Sequence, residues 1–153
     1  MLVRREELLE FCRIWHEAGL RVGLANGCFD CFHPGHAFLI EQARLRCDRL
    51  VVALDTDEGV RALKGPQRPL WGLQTRAATL AGRPGVDLTT SFCGRSELLE
   101  LVVQMRPGVL VKGREYAGAG QEVVGRDEVL SLGGEVVLAE MLQGWSTTGR
   151  RTQ

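Results

Sequence analysis

Apolar and polar positions alternate along the chain in two distinct periods. Across residues 4–18, Leu8, Phe11, Cys12 and Trp15 recur at helical spacing with charged residues between them, and Gly19 follows as a stop. This predicts an amphipathic helix. Arg21-Val22-Gly23-Leu24-Ala25 is then a short apolar run ending in Asn26-Gly27, as expected of a buried strand feeding a tight turn. From Gly35 onward, His36, Leu39, Ile40, Ala43 and Cys47 recur at intervals of three and four, placing a helix over 36–47. Leu50-Val51-Val52-Ala53-Leu54 is continuously apolar, the pattern of a parallel strand covered on both faces.

The alternation continues with a short helix near 57–64, a loop holding Pro66 and Pro69, a helix near 74–82 and a strand over 86–92. A helix near 95–105, a strand at 109–111, a helix near 122–132 and a strand over 135–138 complete it. Strands alternating with helices predict an α/β fold: one Rossmann-like domain over 1–153, with a mostly parallel five-stranded sheet and helices on both faces. In such sheets ligands bind beyond the carboxyl ends of the strands. Polar clusters fall at four of those ends: 26–36, 55–57, 112–116 and 144–148.

Charge adds little to this picture. Nineteen basic residues balance nineteen acidic ones without a block of either sign, so neither nucleic acid nor an anionic membrane is an expected partner. No segment approaches the ~18 apolar residues of a membrane span and no leader pattern precedes the first helix. The expectation is a soluble, cytoplasmic protein. Five cysteines, odd in number and irregularly spaced, read as free thiols.

The chemistry concentrates in Asn26-Gly27-Cys28-Phe29-Asp30-Cys31-Phe32-His33-Pro34-Gly35-His36. Cys28 and Cys31 stand at Cys-x-x-Cys spacing and His33 and His36 at His-x-x-His spacing. A structural zinc site normally separates its ligand pairs by a dozen or more residues, and here all four crowd into nine. A thioredoxin-like motif needs the cysteines at a helix start, which the histidines occupy instead. No metal site is therefore expected, and buried, inert thiols are the preferred reading of the cysteines. The two imidazoles, beside the free N–H groups of a first helical turn, suit phosphate oxygens, with Gly35 permitting close approach.

Asn26-Gly27-Cys28-Phe29-Asp30 followed by His33-Pro34-Gly35-His36 resembles the signature of the His-x-Gly-His nucleotidylyltransferase superfamily. More closely, the chain is similar to the adenylyltransferase domain of the bacterial heptose-phosphate kinase/adenylyltransferases that make ADP-heptose. That likeness runs from about Glu6 to Thr148. It includes Lys64-Gly65-Pro66-Gln67-Arg68-Pro69, Arg106-Pro107, Leu110-Val111-Lys112-Gly113, Val124-Gly125, Gly133-Gly134-Glu135-Val136 and Ser146-Thr147-Thr148. A kinase half is not part of the sequence, so the expectation is a stand-alone transferase.

The resemblance implies that a sugar 1-phosphate attacks the α-phosphorus of a nucleoside triphosphate, ATP or alternatively CTP, and releases pyrophosphate. His33, His36 and Lys64 would be catalytic, meeting the triphosphate near the transferring group. Asn26, Gly27, Cys28, Phe29, Asp30, Gly35, Lys112 and Gly113 would bind the nucleotide. Ser146, Thr147 and Thr148 would meet the β- and γ-phosphates at the start of a last helix. Asp55, Asp57, Arg68, Arg76 and Arg114 are the candidates for the acceptor. Mg2+ accompanying the nucleotide and a homodimer are likewise implied. A cytidylyltransferase for a polyol phosphate such as glycerol 3-phosphate, and a non-catalytic nucleotide-binding protein, are the alternative readings.

Four stretches depart from the family pattern. Residues 149–153 read Gly-Arg-Arg-Thr-Gln where an apolar helix is usual, Leu54-Asp55-Thr56-Asp57 adds a carboxylate to an Asn-Ser-Asp pattern, residues 70–75 are less polar than in the family, and the segment before Ser96 is shorter.

Overall fold

A computed structural model describes residues 2–113 and 123–139, together with the backbone of 145–146 and 150–151. Its elements run α1 (Arg5–Glu17), β1 (Val22–Gly27), α2 (Pro34–Arg44), β2 (Arg49–Asp55), α3 (Asp57–Lys64), α4 (Leu73–Ala81) and β3 (Leu88–Phe92). They continue with α5 (Gly94–Met105), β4 (Val109–Gly113), α6 (Arg126–Ser131), β5 (Glu135–Ala139), β6 (Trp145–Ser146) and β7 (Arg150–Arg151).

The first five strands form one sheet in the order β3-β2-β1-β4-β5, every neighbouring pair parallel. The chain winds outward from β1 through β2 to β3, then returns to β4 on the other side of β1. The reversal opens a crevice above β1 and β4, the usual ligand position in an open α/β sheet.

Strand residues sort by parity onto two hydrophobic cores. Val22, Leu24, Val51, Ala53 and Leu110 pack with Leu8 and Cys12 of α1, Leu98, Leu101, Val102 and Met105 of α5 and Val129 of α6. Ala25, Leu50, Val52, Leu54, Val109 and Val111 pack with Leu39, Ile40 and Ala43 of α2 and Ala77 and Leu80 of α4. Both faces of β2 are thus sealed, which is why its sequence shows no alternation. Beyond β3, Leu2 makes a parallel bridge to Thr89, and Thr90 Oγ1 donates to the Val3 carbonyl, so the N-terminal segment covers that edge.

The fold matches the expected class, with local differences. A helix was expected from 122, but 123–125 form a turn and α6 begins at Arg126. Gly125 is the cause: it caps the helix at φ 89° and ψ 0°, left-handed backbone that favours glycine. A Cβ there would also lie 2.7 Å from Val102 Cγ1. The strand expected from Val86 begins at Leu88. Ser146 belongs to β6, antiparallel to β7, and not to a helix start; the residues after it have no apolar period that a helix could bury.

Gly125→Ala should lower stability by about 2 kcal/mol or more, combining left-handed backbone with overpacking against Val102. Urea denaturation checks this. An unchanged midpoint would show that α6 does not need this turn.

Candidate active site

The turn after β1 is built from two buried non-glycine residues in left-handed backbone, Phe29 (φ 52°) and Cys31 (φ 51°). Such residues are uncommon and persist where their surroundings hold them. Asp30, between them and 2% exposed, supplies one restraint. Its Oδ2 accepts from the Leu70 N–H at 2.7 Å and its Oδ1 from the Trp71 N–H at 2.9 Å, while Arg68 Nη1 lies 3.9 Å from Oδ2. The carboxylate therefore ties the loop before α4 to the turn.

Arg76 supplies the other restraint. Its guanidinium is fully buried, with Nε donating to the Trp71 carbonyl, Nη1 to the carbonyls of Cys28 (2.9 Å) and Asp55 (2.8 Å), and Nη2 to Asp57 Oδ1 (2.6 Å). Four of the five N–H donors of Arg76, a residue expected among the acceptor ligands, hold the turn, the end of β2, the start of α3 and the loop before α4 together. Asp57, the first residue of α3, is its ionic partner.

His33 caps α2 with its ring. Gly35 N–H donates to His33 Nδ1 at 3.0 Å, and His33 N–H donates to His36 Nδ1 at 3.3 Å. The rings stack at 3.9 Å between centroids and are 4% and 3% exposed. Each Nδ1 accepts from a backbone N–H, so it carries no proton and each neutral ring is the Nε2–H tautomer. Burial, and then the neighbouring His33 and Lys64, push His36 down to about 3. The positive end of the α2 dipole acts in the same direction. Phe29 and Phe32 flank His36 at 5.2 and 5.4 Å, and the Arg83 guanidinium sits 4.3 Å from the centre of the Phe32 ring.

Lysines approach from two sides. Lys64, exposed in the last turn of α3, acts electrostatically on His36, Cys28 and Lys112. Lys112 Nζ donates to Asn26 Oδ1 at 2.8 Å, joining β4 to β1 across the crevice, and burial lowers its pKa. Asn26 Nδ2 is buried without a hydrogen-bond partner among the described residues. Gly27 and Gly113 end these two strands.

Cys28 and Cys31 are buried, and burial holds the Cys28 thiol in its protonated form. Among the described residues no three His, Cys, Asp or Glu side chains are grouped to hold a metal ion. Arg114, Thr147 and Thr148, and the side chain of Ser146, lie outside the described residues.

Sequence reasoning missed Gly59 and Gly94, which shape the surroundings of Asp55, and the capping use of the His33 ring. Gly94 matters through a hydrogen bond to Asp55 that forms only when the ends of β2 and β3 meet, whereas Gly59 and the His33 ring act on neighbours close in the chain without a turn or hydroxyl cap to mark them.

Comparison with known proteins agrees with this architecture. The model of the cytidylyltransferase-like family matches residues 24–141. The "Bifunctional protein HldE" of Caulobacter vibrioides is 50% identical over 144 residues, which are 94% of this chain and 29% of that protein. Its namesake from Acidiphilium cryptum is 48% identical over 152 residues, 99% of this chain and 31% of that protein. The chain thus spans about a third of the length of these curated relatives.

Among solved structures, a lipopolysaccharide core biosynthesis protein from Thermoplasma volcanium superposes with a TM-score of 0.64 at 22% identity, over 81% of this chain and 98% of that one. A pantothenate synthetase from Thermus thermophilus gives 0.62 at 19% identity, over 93% and 62%. These two share the fold.

Arg76→Met should cost about 3 kcal/mol or more, because three carbonyls and the Asp57 carboxylate lose their donor. Chemical denaturation measures it. A loss below about 1 kcal/mol with turnover abolished would instead return Arg76 to the ligand set. With a five-stranded all-parallel sheet and a family model that matches residues 24–141, this chain belongs to the cytidylyltransferase-like family of nucleotidyltransferases.

Proposed function

We propose that the chain transfers AMP from ATP to a sugar 1-phosphate, D-glycero-D-manno-heptose 1-phosphate before others, giving a nucleotide sugar and pyrophosphate. The sequence resemblance to ADP-heptose adenylyltransferase domains and the 50% and 48% identity to the two bifunctional relatives support this acceptor. An oxygen of the acceptor phosphate attacks the α-phosphorus, and the bond from that phosphorus to the bridging oxygen breaks. The electron pair leaves with pyrophosphate.

The observation that carries the reading is the locked histidine pair. A phosphate monoester is already ionised at neutral pH, so the nucleophile needs no base. A histidine with a pKa of about 3 would be a poor one. Two Nε2–H donors fixed before the ligand arrives can instead stabilise charge on the phosphoryl oxygens, with the positive end of the α2 dipole acting in the same sense. Lys64 and Lys112 bring positive charge, and in-line positioning supplies the rest. His33, His36 and Lys64 are thus assigned to the triphosphate, and Lys112 with Asn26 to the crevice floor beneath it.

The magnesium fits as part of the nucleotide substrate. The nearby carboxylates Asp30 and Asp57 are engaged by backbone N–H groups and by Arg76, and Mg2+ is commonly held by phosphates and water with few protein ligands. It would neutralise triphosphate charge.

Pyrophosphate release from ATP and CTP with a panel of sugar 1-phosphates and glycerol 3-phosphate is the test. ATP with a heptose or related sugar 1-phosphate should turn over, and His36→Ala should lower kcat by about 10²–10³-fold with the fold retained. CTP with glycerol 3-phosphate as the best pair would favour the polyol cytidylyltransferase reading. No turnover with any pair would overturn the proposal, and a near-normal His36→Ala rate would remove His36 from the mechanism.

A further inference from the structure

Three rings surround His36: His33 stacked at 3.9 Å, Phe29 at 5.2 Å and Phe32 at 5.4 Å between centroids. Two of them have restraints of their own. Phe29 is buried in the core, and the buried His33 is locked by the hydrogen bond from the Gly35 N–H. Phe32 is only half-buried, so the interior holds just part of its ring.

The remaining contact on Phe32 comes from beyond the far end of α4. The Arg83 guanidinium lies over the ring, with Cζ 4.3 Å from its centre. Arg83 stands in a fixed turn: its N–H donates to the Leu80 carbonyl at 3.0 Å, its carbonyl accepts from the Val86 N–H at 3.3 Å, and Pro84 restricts its backbone. The segment of α4 and its following turn thus grips the motif turn at both ends, Arg76 on the Cys28 carbonyl and Arg83 on the Phe32 ring.

A planar guanidinium suits an aromatic face better than an ammonium does. The charged and titratable groups that act on His36 are His33, Lys64 and Asp30, so Arg83 reaches it through the ring and not through its charge. Aim matters there, because a donor stabilises developing charge only where it points and small displacements are costly.

Resting on the transferase reading above, we propose that Arg83 is a positioning residue: by pinning the Phe32 ring beside the His36 imidazole, it keeps the Nε2–H donor aimed at the transferring phosphoryl group.

Arg83 is exposed, so its substitution should leave the fold intact. Arg83→Met keeps an apolar stem and removes the cation; Arg83→Lys keeps a cation; Phe32→Leu removes the aromatic face. Exchange of the His36 Nε2 proton with water, followed by NMR on 15N-labelled protein, reads the ring without any turnover. Arg83→Met should speed this exchange and lower kcat, each by about two- to fivefold, the worth of one exposed cation–π contact. The ATP KM should move less, and Arg83→Lys should restore most of both losses. In a Phe32→Leu background, Arg83→Met should add nothing further to either. Unchanged His36 exchange in Arg83→Met, an Arg83→Lys protein that behaves like Arg83→Met, or an undiminished effect in the Phe32→Leu background overturns the proposal and leaves the transferase reading standing. If the unaltered protein releases no pyrophosphate with any acceptor, that reading fails separately, and the exchange measurements alone decide for Arg83.

Discussion

One buried guanidinium organises the site. Arg76 has no solvent to fall back on, and its donors are met by carbonyls from the β1 turn, the end of β2 and the loop before α4, plus the carboxylate that opens α3. A charge removed from water must be satisfied where it lies, so the four segments are fixed together. Asp30 complements this by binding two N–H groups of the same loop. The left-handed Phe29 and Cys31 are held between these two clamps, and the direction in which α2 begins follows from them.

That direction sets the chemistry. The α2 N-terminus brings a positive dipole end toward the crevice, while its own first N–H groups are met by the ring and carbonyl of His33. Most helices meet their first N–H groups with a hydroxyl or carboxylate, but here the ring of His33 serves and His36 accepts from the His33 N–H. Two imidazoles stacked at 3.9 Å cannot both carry charge cheaply, and burial removes the remaining incentive to protonate. The same bonds that start the helix therefore set the tautomers. Structure and reactivity share two hydrogen bonds.

Much of the fold was legible because burial on both faces leaves a plain mark: Leu50 to Leu54 and Val109 to Val111 read as strands without alternation. The site was legible where local pattern coincides with local structure, as at His33-Pro34-Gly35-His36, where proline and glycine open a helix. It was not legible where function depends on distant partners. Arg76 stands in an amphipathic helix like any surface arginine, and only its meeting with the remote carbonyls of Cys28 and Asp55 makes it internal. Gly59 carries no turn signal, being inside α3; its role is clearance for Asp55. The late start of α6 was hidden because Val123-Val124 continues an apolar pattern into the turn that Gly125 makes. Ser146 carried a motif match, but its backbone pairs with Arg150 in a short ribbon.

The central claim is that the fold presets two neutral histidines as Nε2–H donors before any ligand binds. Proton–nitrogen correlation spectra of protein labelled with 15N in its three histidines, titrated from pH 8 to pH 4, test it most directly. Assignment would come from single substitutions. The account predicts unprotonated Nδ1 and protonated Nε2 for His33 and His36 at pH 7, with His36 still neutral at pH 5. A His36 that titrates near its ordinary value of about 6.5, or an Nδ1–H tautomer in either ring, would contradict it.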